Sequence, residues 1–170
     1  MKIVEDFAAR RGFCGIGEPH GLRLLAIDPG LHTGWALFVK KAAGLDLVAC
    51  GTGEPPSSAQ PYPLWECVIE CPQVYPQQAV PPNDLITLAF QAGRYAEAAR
   101  VAKTRFVRTV LPHEWKGNLP KNVCAARVLS RLSPEEIGIV EEMSEGIPKS
   151  QRHNVLDAIG IGLFAWREDP

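Results

Sequence analysis

Apolar and polar positions alternate in two different ways along this chain, first in short compact runs and then at helical spacing. Leu22 to Ile27 is a compact apolar run that stops at Asp28-Pro29-Gly30. That pattern predicts a buried strand closed by a sharp turn. Gly34 to Val39 and Leu45 to Gly51 predict two further strands, and the short links between the three favour an antiparallel meander. Glu54 to Pro63 is rich in Pro and Ser and reads as a loop. Cys67 to Glu70 is a fourth strand, bounded by Pro72, and the stretch from Pro72 to Pro82 holds four prolines and has no regular reading. The period then changes. Leu85, Leu88, Ala89, Ala92, Ala96 and Ala99 fall on one helical face and predict a helix over Asp84 to Lys103. Phe106 to Leu111 is a fifth strand, closed by Pro112. Three helices follow: Lys121 to Leu132 after Pro120, one opened by Ser133-Pro134-Glu135-Glu136, and Ser150 to Arg167. Four strands, a helix, a strand and three helices predict an α/β fold, a five-stranded mixed sheet covered by helices.

Composition narrows the class. The chain has 170 residues, 46% apolar and 22% charged, which suits one globular domain and excludes a disordered chain or a two-lobed kinase. Residues 1–21, with Gly12, Gly15, Gly17 and Pro19, read as an extension with room for a short helix over Val4 to Arg11; residues 22–170 read as the domain. No apolar run reaches the roughly 18 residues needed to cross a membrane. The first residues lack the basic start and apolar stretch of a secretion signal, so the expectation is a cytoplasmic protein without a membrane partner. The five cysteines fit reduced thiols, because Cys67 and Cys71 have no second Cys/His pair to complete a zinc site.

Charge is unevenly placed. Residues 94–131 carry nine basic and two acidic side chains, a net of +7, in a protein of net −1. Residues 1–93 (six basic, nine acidic) sum to −3 and residues 132–170 (three basic, eight acidic) to −5. A basic middle between acidic flanks suits cations laid on a polyanion and carboxylates gathered round a metal, and it equally suits a solvated helix face.

Candidate chemistry sits at element ends. Asp28 ends a buried strand before Pro29 and Gly30, and Glu70 ends another before Cys71 and Pro72. Taken singly, the first reads as a turn-starting Asp and the second as an exposed strand-end charge. Asp157 lies one turn into the last helix, with His153 stacked beneath it and Asn154 nearby. The residues after it, AIGIGLFAW, are apolar or glycine, so this helix packs deep and the Asp needs a positive partner. Two strand ends and one helix could bring the three acids to one place; clustered carboxylates repel and need cations, and hard oxygen donors suit Mg²⁺ or Mn²⁺.

These residues carry a resemblance. LLAIDPGLHTGWALF (Leu24 to Phe38) resembles the first motif of RuvC-type Holliday-junction resolvases, phage-like members included, in the RNase H-like superfamily. VIECPQVY (Val68 to Tyr75) resembles the second motif and HNVLDAIGIGL (His153 to Leu163) the closing helix, while WKGNLPK (Trp115 to Lys121) is similar to a segment of phage-type members. The resemblance spans residues 22–166 and implies an RNase H-like nuclease domain in a bacterial or phage-infected cell. It implies two divalent ions, Mg²⁺ with Mn²⁺ as substitute, bridged by Asp28, with Glu70 and Asp157 holding one each. The family's fourth ligand is an acid one turn before the last Asp; here that place offers His153, favoured as a neutral imidazole ligand, or Asn154. The implied reaction is paired phosphodiester hydrolysis of a four-way DNA junction, leaving 5′-phosphate and 3′-hydroxyl ends.

Lys116, Lys121, Arg127 and Arg131 are the candidate phosphate contacts, since they follow the fifth strand in the basic segment. A symmetric junction calls for a homodimer, and the helix over Asp84 to Lys103 is its candidate element, unless that helix only packs on the sheet. Three other readings stand beside this one. An RNase H-like nuclease could take another branched DNA, an RNA or a hybrid. Asp28 to Gly34 also resembles the first phosphate loop of actin-like ATPases, but those need two lobes. A non-catalytic DNA-binding relative would have no call for Asp28, Glu70 and Asp157 together.

Overall fold

A computed structural model of the chain describes residues 22–41, 44–56, 64–74 and 81–167. The N-terminal extension, with the helix expected over Val4 to Arg11, lies outside the described residues. Five strands form one sheet: β1 (Arg23–Asp28), β2 (Gly34–Lys41), β3 (Gly44–Thr52), β4 (Glu66–Glu70) and β5 (Phe106–Val110). Their order is β3-β2-β1-β4-β5. The first three pair antiparallel, and β1–β4 and β4–β5 pair parallel. This is the mixed α/β sheet that the run pattern predicts. The helices are α1 (Pro82–Val101), α2 (Pro112–Trp115), α3 (Lys121–Leu129), α4 (Pro134–Met143) and α5 (Arg152–Arg167), the last preceded by a 3₁₀ turn at Lys149–Gln151.

Alternation along the strands divides the core in two. Leu24, Ala26, Phe38, Val68 and Val110 face α3, α4 and α5. Leu25, Ile27, Leu37, Cys67 and Ile69 face the opposite way, onto Ala92 and Ala99 of α1. The alanine face of α1 is therefore its sheet-packing face. Asp28 shares the parity of Leu24 and Ala26, and Glu70 that of Val68, so both acids belong to the α5 side.

Some boundaries move. β2 continues through Lys40 and Lys41 because β3 pairs with both. α3 stops at Leu129, three residues short of the expected end, where the Ser130 hydroxyl donates to the Arg127 carbonyl (3.0 Å). α4 opens as its sequence signal says. The Ser133 hydroxyl accepts from the Glu136 amide (3.2 Å), and the Glu136 carboxylate accepts from the Ser133 amide (2.8 Å). Glu136 also accepts from the Leu47 amide (2.7 Å), which fastens α4 to β3. α2 is an addition to the predicted set; Pro112 in its first turn and Glu114, whose carboxylate accepts from the Leu111 amide (2.5 Å), explain it.

At the far end of the sheet from Asp28, Glu66 is 5% exposed and pairs with Arg108 (2.5 Å), whose Nη2 also donates to the Ala165 carbonyl (2.8 Å). Strands β4 and β5 are thereby tied to the last turn of α5. Closer to the middle, α5 approaches the sheet so tightly that a Cβ on Gly162 would stand 2.2 Å from the fully buried Phe38 ring. Gly162→Ala is expected to cost about 1–3 kcal/mol, the usual size of core overpacking, measured by urea denaturation. An unchanged midpoint would show that the ring gives way freely.

Candidate active site

Two acids reach one place through strand register. Ile27 pairs with Ile69, so Asp28 and Glu70, the next residues, stand at the same level of neighbouring parallel strands. The turn after Asp28 is pinned. Thr33, 4% exposed, donates its hydroxyl to the Gly30 carbonyl (3.1 Å) and accepts from Tyr95 of α1 (3.1 Å). The third acid arrives on α5, which is tied to the same turn: Asn154 Nδ2 donates to the His32 carbonyl (2.7 Å). Gly34 lets the two backbones meet, since a Cβ there would lie 2.0 Å from the Asn154 carbonyl oxygen.

Strand β5 supplies the rest. Glu70 pairs with Val110, and the chain then doubles back through α2. This return brings Trp115 Nε1 to 2.6 Å from Glu70 Oε2, as a donor. The Lys116 ammonium donates to the same oxygen at 3.2 Å and stands 3.9 Å from Asp157 Oδ2. The Trp115 ring fills space that Gly160 leaves open; a Cβ there would fall 2.5 Å from a ring carbon.

The electrostatics follow from this crowding. Burial holds the Asp28 carboxyl well above the usual carboxylate range, and the Glu70 and Asp157 charges push it further, against Lys116 and Lys121. Burial also raises Asp157, opposed by Lys116, His153 and Lys121. For Lys116 burial acts downward, but Glu70, Asp157 and Asp28 outweigh it and raise its pKa.

The structure thus brings Asp28, Glu70 and Asp157 into one electrostatic cluster, with His153 close enough to act on Asp157. Asn154 Nδ2 serves the β1–β2 turn, and its Oδ1 is the atom that a metal would take. Lys116 stands among the carboxylates, whereas Lys121 and Arg127 are exposed on α3. Arg131 is pushed down by burial and by the like charges of Arg167 and Arg127, so these three arginines crowd one surface. Trp115 and Arg167 are additions to the residues singled out by sequence. Only WKGNLPK pointed near the first, and nothing pointed to the second.

The donor set suits a hard divalent cation: three half-buried carboxylates, with the charges of Glu70 and Asp157 acting on Asp28. As placed, no group of three His, Cys, Asp or Glu side chains among the described residues is arranged to hold a metal ion. The Lys116 ammonium stands among these acids, and Lys121 also acts on Asp28 and Asp157. Among the described residues, no helix is long and apolar enough to cross a membrane.

No family model matches the chain, and no curated protein matches it. Among solved structures, the yeast mitochondrial Holliday junction resolvase Ydc2 matches at 13% identity, covering 96% of this chain and 85% of that one, with a TM-score of 0.49. A likeness that faint leaves the chemistry to be read from this chain's own residues.

Proposed function

We propose that this chain is a divalent-metal-dependent endonuclease of RNase H-like type that resolves four-way DNA junctions. The observation that carries the reading is the convergence of Asp28, Glu70 and Asp157 from two strand ends and one helix, in the order and spacing of the RuvC-type motifs. Asp28, central among the three, would bridge two ions. Glu70 and Asp157 would hold one each, with His153 as the fourth ligand and Asn154 Oδ1 as the alternative. Bound there, Mg²⁺ or Mn²⁺ supplies activation of a water for in-line attack on phosphorus and charge relief at the leaving 3′ oxygen. The products would carry 5′-phosphate and 3′-hydroxyl ends.

The chain's own residues do the rest. Trp115 fixes the orientation of Glu70, and the pinned β1–β2 turn fixes Asp28. Lys121, Arg127 and Arg131, extended by Arg167, would take the phosphates flanking the cut. A second copy would supply the paired site. Ile86, Phe90 and Val101 of α1 are 66%, 69% and 73% exposed and lie on one stripe away from its alanine face, which suits a homodimer surface.

Cleavage of a four-way junction, a flap and an RNA–DNA hybrid with Mg²⁺ tests the reading. Symmetric nicks on the junction, with 5′-phosphate ends, are expected. Preference for the flap or hybrid would move the assignment to another nuclease of this type, and no cleavage of any would remove it. Lys121→Glu with Arg127→Glu should weaken junction binding and lower the log–log salt slope by about two units, one per phosphate contact. Light scattering should give about twice 18.6 kDa.

A further inference from the structure

We propose that Lys116 is an internal counter-cation of this site: its ammonium occupies the acid cluster of the metal-free protein, and a divalent cation binds there by displacing it. This rests on the reading of the three carboxylates as a metal site. The ammonium lies 3.2 Å from Glu70 Oε2 and 3.9 Å from Asp157 Oδ2, between two of the three acids. The ammonium carries one charge, so a divalent cation in the same place gains more from these acids than Lys116 does.

The side chain is built to leave. It is 27% exposed, so it has a route out, and its four-carbon stem is flexible. Gly117 follows it in the left-handed region at φ +59°, where the backbone turns immediately after the lysine. Glu70 is meanwhile held without it. Trp115 Nε1 donates to the same Oε2 at 2.6 Å, and the indole is wedged against α5 at Gly160. Trp115 is therefore the positioning residue and Lys116 the exchangeable one. Lys116 also differs in this from Lys121 and Arg127, which are exposed on α3.

Mn²⁺ binding to the full-length protein, followed by electron paramagnetic resonance, tests this without any substrate. Lys116→Met is expected to bind Mn²⁺ about tenfold more tightly than wild type, within the usual range of coupling between two sites. Lys116→Arg, which keeps the charge, should return towards the wild-type value. Damage to the fold would weaken binding, so a gain separates the two explanations. A second measurement needs no variant. Labelling of the Lys116 amine by an acylating reagent, read by peptide mass spectrometry, should speed up when Mn²⁺ saturates the wild-type protein. Equal or weaker Mn²⁺ binding by Lys116→Met, or labelling indifferent to Mn²⁺, overturns the displacement while leaving the metal site standing. Absence of Mn²⁺ binding in wild type and Lys116→Met alike overturns both.

Discussion

Asp28→Asn is expected to abolish metal-dependent cleavage and at the same time to stabilise the metal-free protein. The first effect should reach about a hundred- to a thousandfold, the scale of losing one preorganised contribution to transition-state charge stabilisation. The second follows from the sign of the shift at Asp28. Its carboxyl is raised above the unfolded value by burial and by Glu70 and Asp157. A raised folded pKa favours the folded state fully at pH below the unfolded pKa, near ~3.9 for Asp. That advantage is lost as pH rises through the folded pKa. Asp157 is raised as well and adds to the same trend. At neutral pH in a chelator the wild-type protein therefore carries a cost that the uncharged Asn variant lacks. Its melting temperature should be lower than the variant's, and the difference should close as pH falls through the carboxylate range. Mg²⁺ should reverse the order, because a ligand of the folded state raises stability by mass action and the variant has lost a ligand group. Wild-type cleavage by Asp28→Asn would take Asp28 out of the site. A variant no more stable than wild type at pH 7 without metal would mean that the repulsion is relieved by some other group.

The acids were legible because strands end abruptly. Asp28 and Glu70 each follow a compact apolar run and precede a proline-containing turn, so their positions at strand ends are local facts of the sequence. That they lie side by side is not local. It needs the parallel pairing of β1 with β4, in which Ile27 meets Ile69, and no residue pattern announces that register. Parity along each strand then decides that both point to the α5 side, and this is readable once one core neighbour is known.

Lys116 shows the opposite case. Counting charge placed it in a basic segment, which suggests an outward face. The chain instead reverses through α2, four residues long, immediately after β5, and carries the ammonium back over Glu70. A helix that short leaves no period to detect, and its only sequence signs are Pro112 and Glu114. Trp115 was invisible as a functional residue for a related reason. A tryptophan after a strand reads as core, and here it is 8% exposed and core, yet its one polar atom reaches Glu70. The partner that makes this possible, Gly160, is forty-five residues away and looks like an ordinary small residue of a tightly packed helix.

Gly34→Ala should damage the site more than the fold. A Cβ at this position would stand 2.0 Å from the Asn154 carbonyl oxygen and 2.4 Å from its carbonyl carbon, and neither atom can rotate aside. At Gly162, by contrast, the obstacle is the Phe38 side chain. Relief at Gly34 requires the start of α5 to move off the β1–β2 hairpin. That motion strains the hydrogen bond from Asn154 to the His32 carbonyl and carries Asp157, three residues further along the helix, away from Asp28 and Glu70. The rest of α5 remains anchored, because Val155, Ala158, Ile159 and Ile161 are fully buried and Arg108 binds the Ala165 carbonyl. A stability loss of about 1–3 kcal/mol is expected, as for other overpacked sites. Cleavage should fall by about a hundredfold, since a misplacement near 1 Å is enough for that. Mn²⁺ affinity should fall with it, whereas Gly162→Ala should lose stability and keep its Mn²⁺ affinity. The contrast between the two glycines is the decisive measurement. If Gly34→Ala lost only stability and bound Mn²⁺ as wild type does, Asp157 would not depend on the hairpin for its place. If Gly162→Ala lost Mn²⁺ binding in equal measure, the site would be sensitive to any disturbance of α5, and the contact between Gly34 and Asn154 would have no special part in positioning it.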